Sequence, residues 1–165
     1  MMSTGTTYYE TKAELLQANI DAYQGSLFYW QREEAHYGEH ADACRAAAAG
    51  IDTNTDPLGS VLAPVWGLHT THTWEGGAAT RSRNRLDIHS GRTTGAITAL
   101  RALADDLRAE AENAQNRANS AGSEVGRYRT LILDSQDDLR AEAESARKLA
   151  NERRQALLSI SRDDL

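Results

Sequence analysis

Alanine and larger apolar residues recur every seven positions through the second half of the chain, and this period constrains the fold more than any other feature. One row contains Ala79, Leu86, Thr93, Leu100, Leu107, Ala114, Ala121 and Tyr128. A companion row contains Ile97, Ala104, Ala111, Ala118, Val125, Ile132, Leu139 and Ala146. Rows that alternate at three and four residues form one stripe along an α-helix, which packs against another helix over its whole length. The pattern predicts a long helical tract over residues 77–160 with a close-packed, alanine-rich seam.

A second seam, with the same alternating steps, predicts another long helix over residues 10–50. Its members are Ala13, Leu16, Ile20, Tyr23, Leu27, Trp30, Glu34, Tyr37, Ala41, Cys44, Ala48 and Ile51. Thr11 and Glu14 have the spacing of a capping box, and Gly50 is a stop signal. A helix of this length needs another long helix, or a copy of itself, to pack against.

Residues 51–76 are predicted to form a connector of short helices that ends in a Trp-x-Gly turn. Pro64 is expected to interrupt any continuous helix here, leaving short turns near 57–62 and 64–72. Gly76 permits backbone angles that a residue with a Cβ adopts only at a cost of roughly 1–2 kcal/mol. Trp74 is expected to pin the turn, so that Trp74→Ala would cost roughly 3–5 kcal/mol.

The predicted interaction residues form two groups, one at the turn and one on the helix seams. The group at the turn, or at a partner interface, is Trp66, Trp74, Gly76, Ala79 and Leu86. The seam group is Tyr23, Trp30, Tyr37, Ile97, Leu100 and Leu107. Together they predict an all-α fold: an elongated hairpin or bundle of long amphipathic helices with coiled-coil character.

The stretch 119–126 contains two glycines and two serines and is the one place where the second tract could turn. A turn would produce a three-helix bundle. Because the seven-residue phase crosses the stretch without slipping, we expect a continuous or merely hinged helix. The whole chain, 1–165, is then predicted to be a single helical domain.

Composition argues against several classes of protein. A formal charge of −6 and a pI near 5.3 disfavour nucleic-acid and anionic-membrane binding. No apolar segment approaches the roughly 20 residues that span a bilayer. Residues 1–10 lack the basic region and apolar run of a secretory signal. We therefore expect a cytoplasmic protein, with export by a route that needs no such signal as the open alternative.

Residues that could carry chemistry are few. Glu33, His36 and His40 have the spacing of metal ligands on one helix, but no second set accompanies them, and a solvated histidine pair is favoured. The basic cluster at Arg81, Arg83, Arg85 and Arg92 is typical of a charged helical face. No nucleophile or phosphate-binding loop is evident. We expect no enzymatic activity, no cofactor, no metal and no small-molecule substrate.

The turn and the helix after it resemble the WXG-type proteins of type VII secretion. The residues that carry the resemblance are Trp74, Glu75, Gly76, Ala78, Ala79, Arg83 and Leu86, followed by Ile97, Leu100, Leu103 and Leu107. It covers residues 64–118 and implies a helical hairpin that works in homo- or heterodimeric four-helix bundles, as an export substrate, a substrate partner or an accessory factor. The family's Tyr-x-x-x-Asp/Glu export motif is absent after the second helix, because Ile132 holds the fourth place after Tyr128. The alternative is a structural coiled-coil subunit, such as a phage virion component or scaffold.

Overall fold

The chain folds into two α-helices that pack against each other. The computed structural model describes the backbone of residues 4–67 and 75–163, and the side chains of Tyr9, 11–60 and 75–158. Helix α1 spans Thr4–Gly67 and helix α2 spans Gly77–Asp163. The described residues contain no strand. The predicted all-α helical hairpin is confirmed.

Contacts group the chain into two compact units. Unit 1 combines Met1–Glu34 with Asn119–Leu165, and unit 2 is Ala35–Ala118. Each unit pairs a segment of α1 with a segment of α2. The prediction of a single domain over 1–165 stays a prediction.

The two helices run antiparallel within each unit. In unit 1, Lys12 bonds to Glu142, and the ring of Tyr23 lies 6.2 Å from the ring of Tyr128. In unit 2, Arg45 bonds to Gln115 and Asp52 to Arg108. Within each unit, residues later in α1 therefore contact residues earlier in α2.

The predicted seams form the contact between the helices. Among the residues whose side chains are described, the buried apolar ones all belong to these seams: Ile20, Ala41, Cys44, Ala48, Ala79, Ala104, Ala111, Ala114, Ala118, Ala121 and Val125. Most of the other seam residues are half-buried, and Glu34, the one charged seam residue of α1, is exposed. The seven-residue period predicted the buried face of both helices.

The predicted end of the first helix at Gly50 is wrong. Helix α1 continues through Gly50, Pro57 and Pro64 to Gly67, so residues 51–67 of the predicted short-helix connector are instead the last part of α1. Residues 68–74 of the predicted connector lie outside the described residues. Tertiary contacts outweigh the local breaking signals here. Thr55 is buried in the contact with α2, and both Asp52 and Asp56 pair with arginines of α2.

Helix α2 begins at Gly77, as predicted, and continues without a break through residues 119–126. Ala121 and Val125, on either side of Gly122, are buried. A Cβ at Gly122 would lie 2.9 Å from Oε1 of Glu34. The absence of a side chain at this position therefore makes room for the Glu34 carboxylate, and the continuous alternative for this stretch is the one observed.

Candidate interaction surfaces

Gly76 holds the start of α2 in a conformation suited to glycine. Its φ is +112°, in the region that L side chains rarely adopt. Its carbonyl oxygen accepts a hydrogen bond of 3.1 Å from the Thr80 backbone N–H. This bond makes Gly76 the residue that caps the helix. The conformational role predicted for Gly76 is confirmed, whereas Gly77 has no positive φ.

The other residues predicted at the turn are only partly described. Ala79 is buried and Leu86 is half-buried. Trp66 lies in the last turn of α1, but its side chain is outside the described residues, as is the whole of Trp74. The predicted pinning of the turn by Trp74 stays a prediction.

The large seam residues of unit 1 are only half-buried. Tyr23 packs against Tyr128 with the two rings tilted by 47°. Trp30, also half-buried, makes an edge contact with the exposed Tyr29 at a centroid distance of 5.2 Å. These rings have apolar surface in contact and apolar surface left in solvent.

The remaining predicted seam residues lie in unit 2. Tyr37 is half-buried, with the Arg117 guanidinium 5.6 Å from its ring centroid, within the range of a cation–π contact. Ile97 and Leu107 are half-buried, whereas Leu100 is 36% exposed.

One side of the seam in unit 2 is lined by polar contacts, which we call the charged edge. Arg108 pairs with Asp52 of α1 and, at 2.6 Å, with Asp105 of its own helix. Arg101 pairs with Asp56 at 3.5 Å, and Arg45 donates a 2.9 Å hydrogen bond to Gln115. These contacts cover the seam from one side.

The other side of the seam in unit 2, which we call the open edge, carries exposed leucines. Ala47 and Asn54 precede seam residues by one position, whereas Arg45 and Asp52 follow them, so the two pairs flank the seam on opposite sides. A groove of about 280 Å³ lies here, lined by Ala47, Gly50, Ile51, Asn54, Thr55, Leu58 and Leu100. Leu58 is 43% exposed, and Leu103, one turn beyond Leu100, is 48% exposed. This apolar surface is of the kind that a further helix covers.

Unit 1 has an apolar groove of its own. It has a volume of about 280 Å³ and is lined chiefly by apolar residues of α2, including Leu139, Ala143, Ala146 and Leu149, with Tyr9 and Ala13 from α1. Glu142, on its wall, is bonded to Lys12. Exposed large side chains occur in the same unit at Leu15, Phe28 and Leu133.

Both histidines weighed as metal ligands are exposed, but only His40 lies beside the contact with α2. His36 is exposed, as predicted. His40 is also exposed, and its Nε2 lies 3.4 Å from Oε1 of Glu110 and 3.8 Å from Sγ of Cys44. Within the described ranges, no three His, Cys, Asp or Glu side chains are placed to hold a metal ion. Of the basic cluster, Arg81, Arg85 and Arg92 are exposed, as expected of a charged helical face.

Sequence reasoning missed the difference between the charged edge and the open edge. Asp52 lies within the stretch predicted to be a connector, although it directly follows the seam residue Ile51. An antiparallel alignment of the two seams would have placed it beside Arg108. The signal was present, but it required the relative register of the two helices.

Comparison of the chain with protein-family models, curated proteins and solved structures gives no match. Neither helix contains, over its described residues, a stretch long and apolar enough to cross a membrane.

Proposed function

We propose that this chain is a non-enzymatic helical interaction protein whose hairpin associates with further helices, from a copy of itself or from another protein. The observation that carries the proposal is the distribution of apolar side chains. Among the described residues, eight of the eleven buried apolar residues are alanine. Leu15, Phe28, Ile88, Leu133 and Leu157 are each more than half exposed. The hairpin thus buries small side chains and presents large ones.

This distribution follows from the geometry of two packed helices. A helix pair covers a narrow seam, so a methyl group is enclosed whereas a leucine or an aromatic ring extends beyond the contact. Burial contributes about 25 cal/mol per Å² of apolar surface, so alanine contributes little and the exposed residues represent stabilisation not yet realised. A third or fourth helix packed over Leu58, Leu100 and Leu103 on the open edge would realise part of it.

A role related to type VII secretion is the specific form of this proposal. It is supported by the Trp-x-Gly resemblance, by the helical hairpin, and by the positive φ of Gly76 at the head of α2. In this form the chain is an export substrate, the partner of a substrate, or an accessory factor, located in the cytoplasm or exported without a conventional signal.

The association can be tested with purified protein and with the products of neighbouring genes. We expect sedimentation velocity at micromolar concentration to show a dimer or larger species, or co-expression with one neighbouring product to yield a stable complex. A monomer throughout, with no complex among those products, would contradict the proposal.

Gene order tests the secretion-related form separately. A secretion ATPase encoded beside this chain would support it. Capsid and tail genes in that place would favour the structural coiled-coil subunit instead.

A further inference from the structure

The exposed side of α2 next to the open edge of unit 2 carries a second stripe with alternating three- and four-residue steps, which we call the α2 strip. It consists of His89, Arg92, Ala96, Ala99, Leu103, Asp106 and Glu110. Every one of these residues is exposed. Such steps place the residues on one line along a helix, as they do in the buried seam.

The α2 strip is complementary to itself when it is read in the reverse direction. Basic or ionisable nitrogen side chains are at one end, acidic side chains are at the other, and small or apolar residues lie between them. The pairs Arg92 with Asp106, His89 with Glu110, and Ala96 with Leu103 all have their midpoint at Ala99 or just after it. An antiparallel copy centred there would meet opposite charge at both ends and a small residue opposite each leucine.

From this arrangement, and resting on the proposed function, we propose that the α2 strip binds the same strip of a second copy of this chain, antiparallel and about a two-fold axis near Ala99. In a two-fold interface each contact occurs twice, so Arg92 of each copy pairs with Asp106 of the other. A parallel arrangement would place Arg92 against Arg92 and Asp106 against Asp106, which disfavours it.

The charges of the α2 strip differ from those of the charged edge in what they contact. Arg101 and Arg108 pair with aspartates of α1. Among the described residues, Arg92 and Asp106 form no ion pair. Glu110 lies near His40 but keeps 49% of its side chain exposed. Arg92 and Asp106 are therefore available to a second copy.

The apolar centre of the α2 strip adjoins the open edge. Leu103 follows Leu100, which lines the groove, by three residues. Ala96 and Ala99 allow two helices to approach closely, and the leucine of each copy then covers the alanine of the other. The same contact removes Leu103, 48% exposed in the single chain, from water.

A charge-swap experiment tests the pairing. Arg92→Asp and Asp106→Arg each place like charges opposite one another at two symmetric points, and we expect each to raise the dimer dissociation constant roughly tenfold. The double variant Arg92→Asp/Asp106→Arg restores opposite pairs and should bring the constant back close to that of the natural chain. Sedimentation equilibrium measures all four proteins.

Matched controls are available in unit 1. Arg147 and Asp134 are exposed residues of the same helix that lie outside the α2 strip. Arg147→Asp and Asp134→Arg change the net charge by the same amounts and should leave the dissociation constant unchanged. Circular dichroism of each variant confirms that the helices are retained.

Cross-linking locates the symmetry axis independently. In a Cys44→Ala background, Ala99→Cys should form an intermolecular disulfide on mild oxidation, because a two-fold axis at this position brings the two Cα atoms within the 4.4–6.8 Å that a disulfide spans. Ala141→Cys, at an exposed position of unit 1, should not.

Failure of this inference can be told apart from failure of the proposed function. Suppose that the chain assembles, that neither single charge reversal changes the dissociation constant, and that Ala99→Cys does not cross-link. The α2 strip is then wrong as the interface, but the proposal of a helical interaction protein stands. A chain that stays monomeric and binds no partner overturns both. A loss in each single variant with recovery in the double variant supports the strip.

Discussion

Units 1 and 2 are built by the same pair of helices, yet they bury different kinds of residue. Unit 1 has its largest seam side chains, Tyr23, Trp30 and Tyr128, half-exposed, and its fully buried apolar residues are Ile20, Ala121 and Val125. Unit 2 buries a run of alanines together with Cys44 and Thr55. In the contact between these two helices, the side chains that are completely buried are therefore mainly small ones.

This difference indicates how each unit is stabilised. Unit 2 relies on close approach, so its stability depends on the absence of extra volume at the contact. Unit 1 relies on large side chains whose burial is incomplete, so its stability depends on the volume that is present. Substitutions that add or remove volume should affect the two units in opposite ways.

The largest effect is expected from removing volume in unit 1. Ile20 is 3% exposed, and Ile20→Ala should lower the free energy of unfolding by roughly 2–5 kcal/mol, the range for truncating a buried aliphatic side chain. Leu15→Ala, at a residue 62% exposed, is the control and should change little. Chemical denaturation at one fixed protein concentration measures both, because association would add to the apparent stability. Equal losses in the two variants would show that burial at position 20 does not determine the stability of unit 1.

Adding volume in unit 2 should have the next largest effect. Ala104 is completely buried, so Ala104→Leu should force the helices apart and cost about 1–3 kcal/mol. Ala109→Leu makes the same change on the exposed face of the same helix and should be nearly neutral. A stabilising leucine at position 104 would show that the helix contact of unit 2 has room for additional volume.

At Gly76 of unit 2, the backbone conformation and not the side-chain volume is expected to determine the effect of a substitution. With φ at +112° and open space around the missing Cβ, Gly76→Val should cost about 1–2 kcal/mol through backbone strain alone. Gly77→Ala is the matched control, since its backbone is ordinary and its Cβ would make only a 3.8 Å contact with Arg81. Thermal melts in which both variants behave alike would show that the positive φ carries no cost.

The smallest effect distinguishes two glycines inside helices. A Cβ at Gly38 of unit 2 meets nothing within 4 Å, so Gly38→Ala should stabilise by roughly 0.5–1 kcal/mol. Gly122→Ala of unit 1 should gain less, because the Glu34 carboxylate must move away. In a Glu34→Ala background, the gain from Gly122→Ala should rise to that of Gly38→Ala. If the stabilisation by Gly122→Ala is the same with Glu34 and with Ala at position 34, contact with the Glu34 carboxylate is not what limits it.

The seams were predictable from the sequence because a seven-residue period survives local irregularities. It identified Ile20, Ala41 and Ala104 as buried and carried α2 correctly through the glycines at 122 and 126. Gly76 was predictable for a different reason, since a glycine pair just before a helical pattern indicates a special backbone conformation.

The end of α1 and the two edges were not predictable in this way. Gly50 and Pro57 are breaking signals in an isolated segment, but Ile51 and Thr55 continue the seam against α2 and the helix continues with them. Which charges lie on the charged edge depends on the register of α1 against α2. That register is a property of the pair of helices and is not encoded in either one alone.

The unequal spacing of the charged edge has a consequence for how the chain finds its correct alignment during folding. A repeating alanine seam tolerates alignments displaced by one heptad almost as well as the native one. Arg101 and Arg108 are seven residues apart, whereas their partners Asp56 and Asp52 are four apart. A displacement of one heptad breaks both of these pairs. In one direction Asp56 meets Arg108 and Arg101 loses its aspartate, whereas in the other Asp52 meets Arg101 and Arg108 moves to a place between Asp42 and Arg45. Surface ion pairs that each contribute at most about 1 kcal/mol to stability thus add a preference for the native register that the alanine seam alone does not supply.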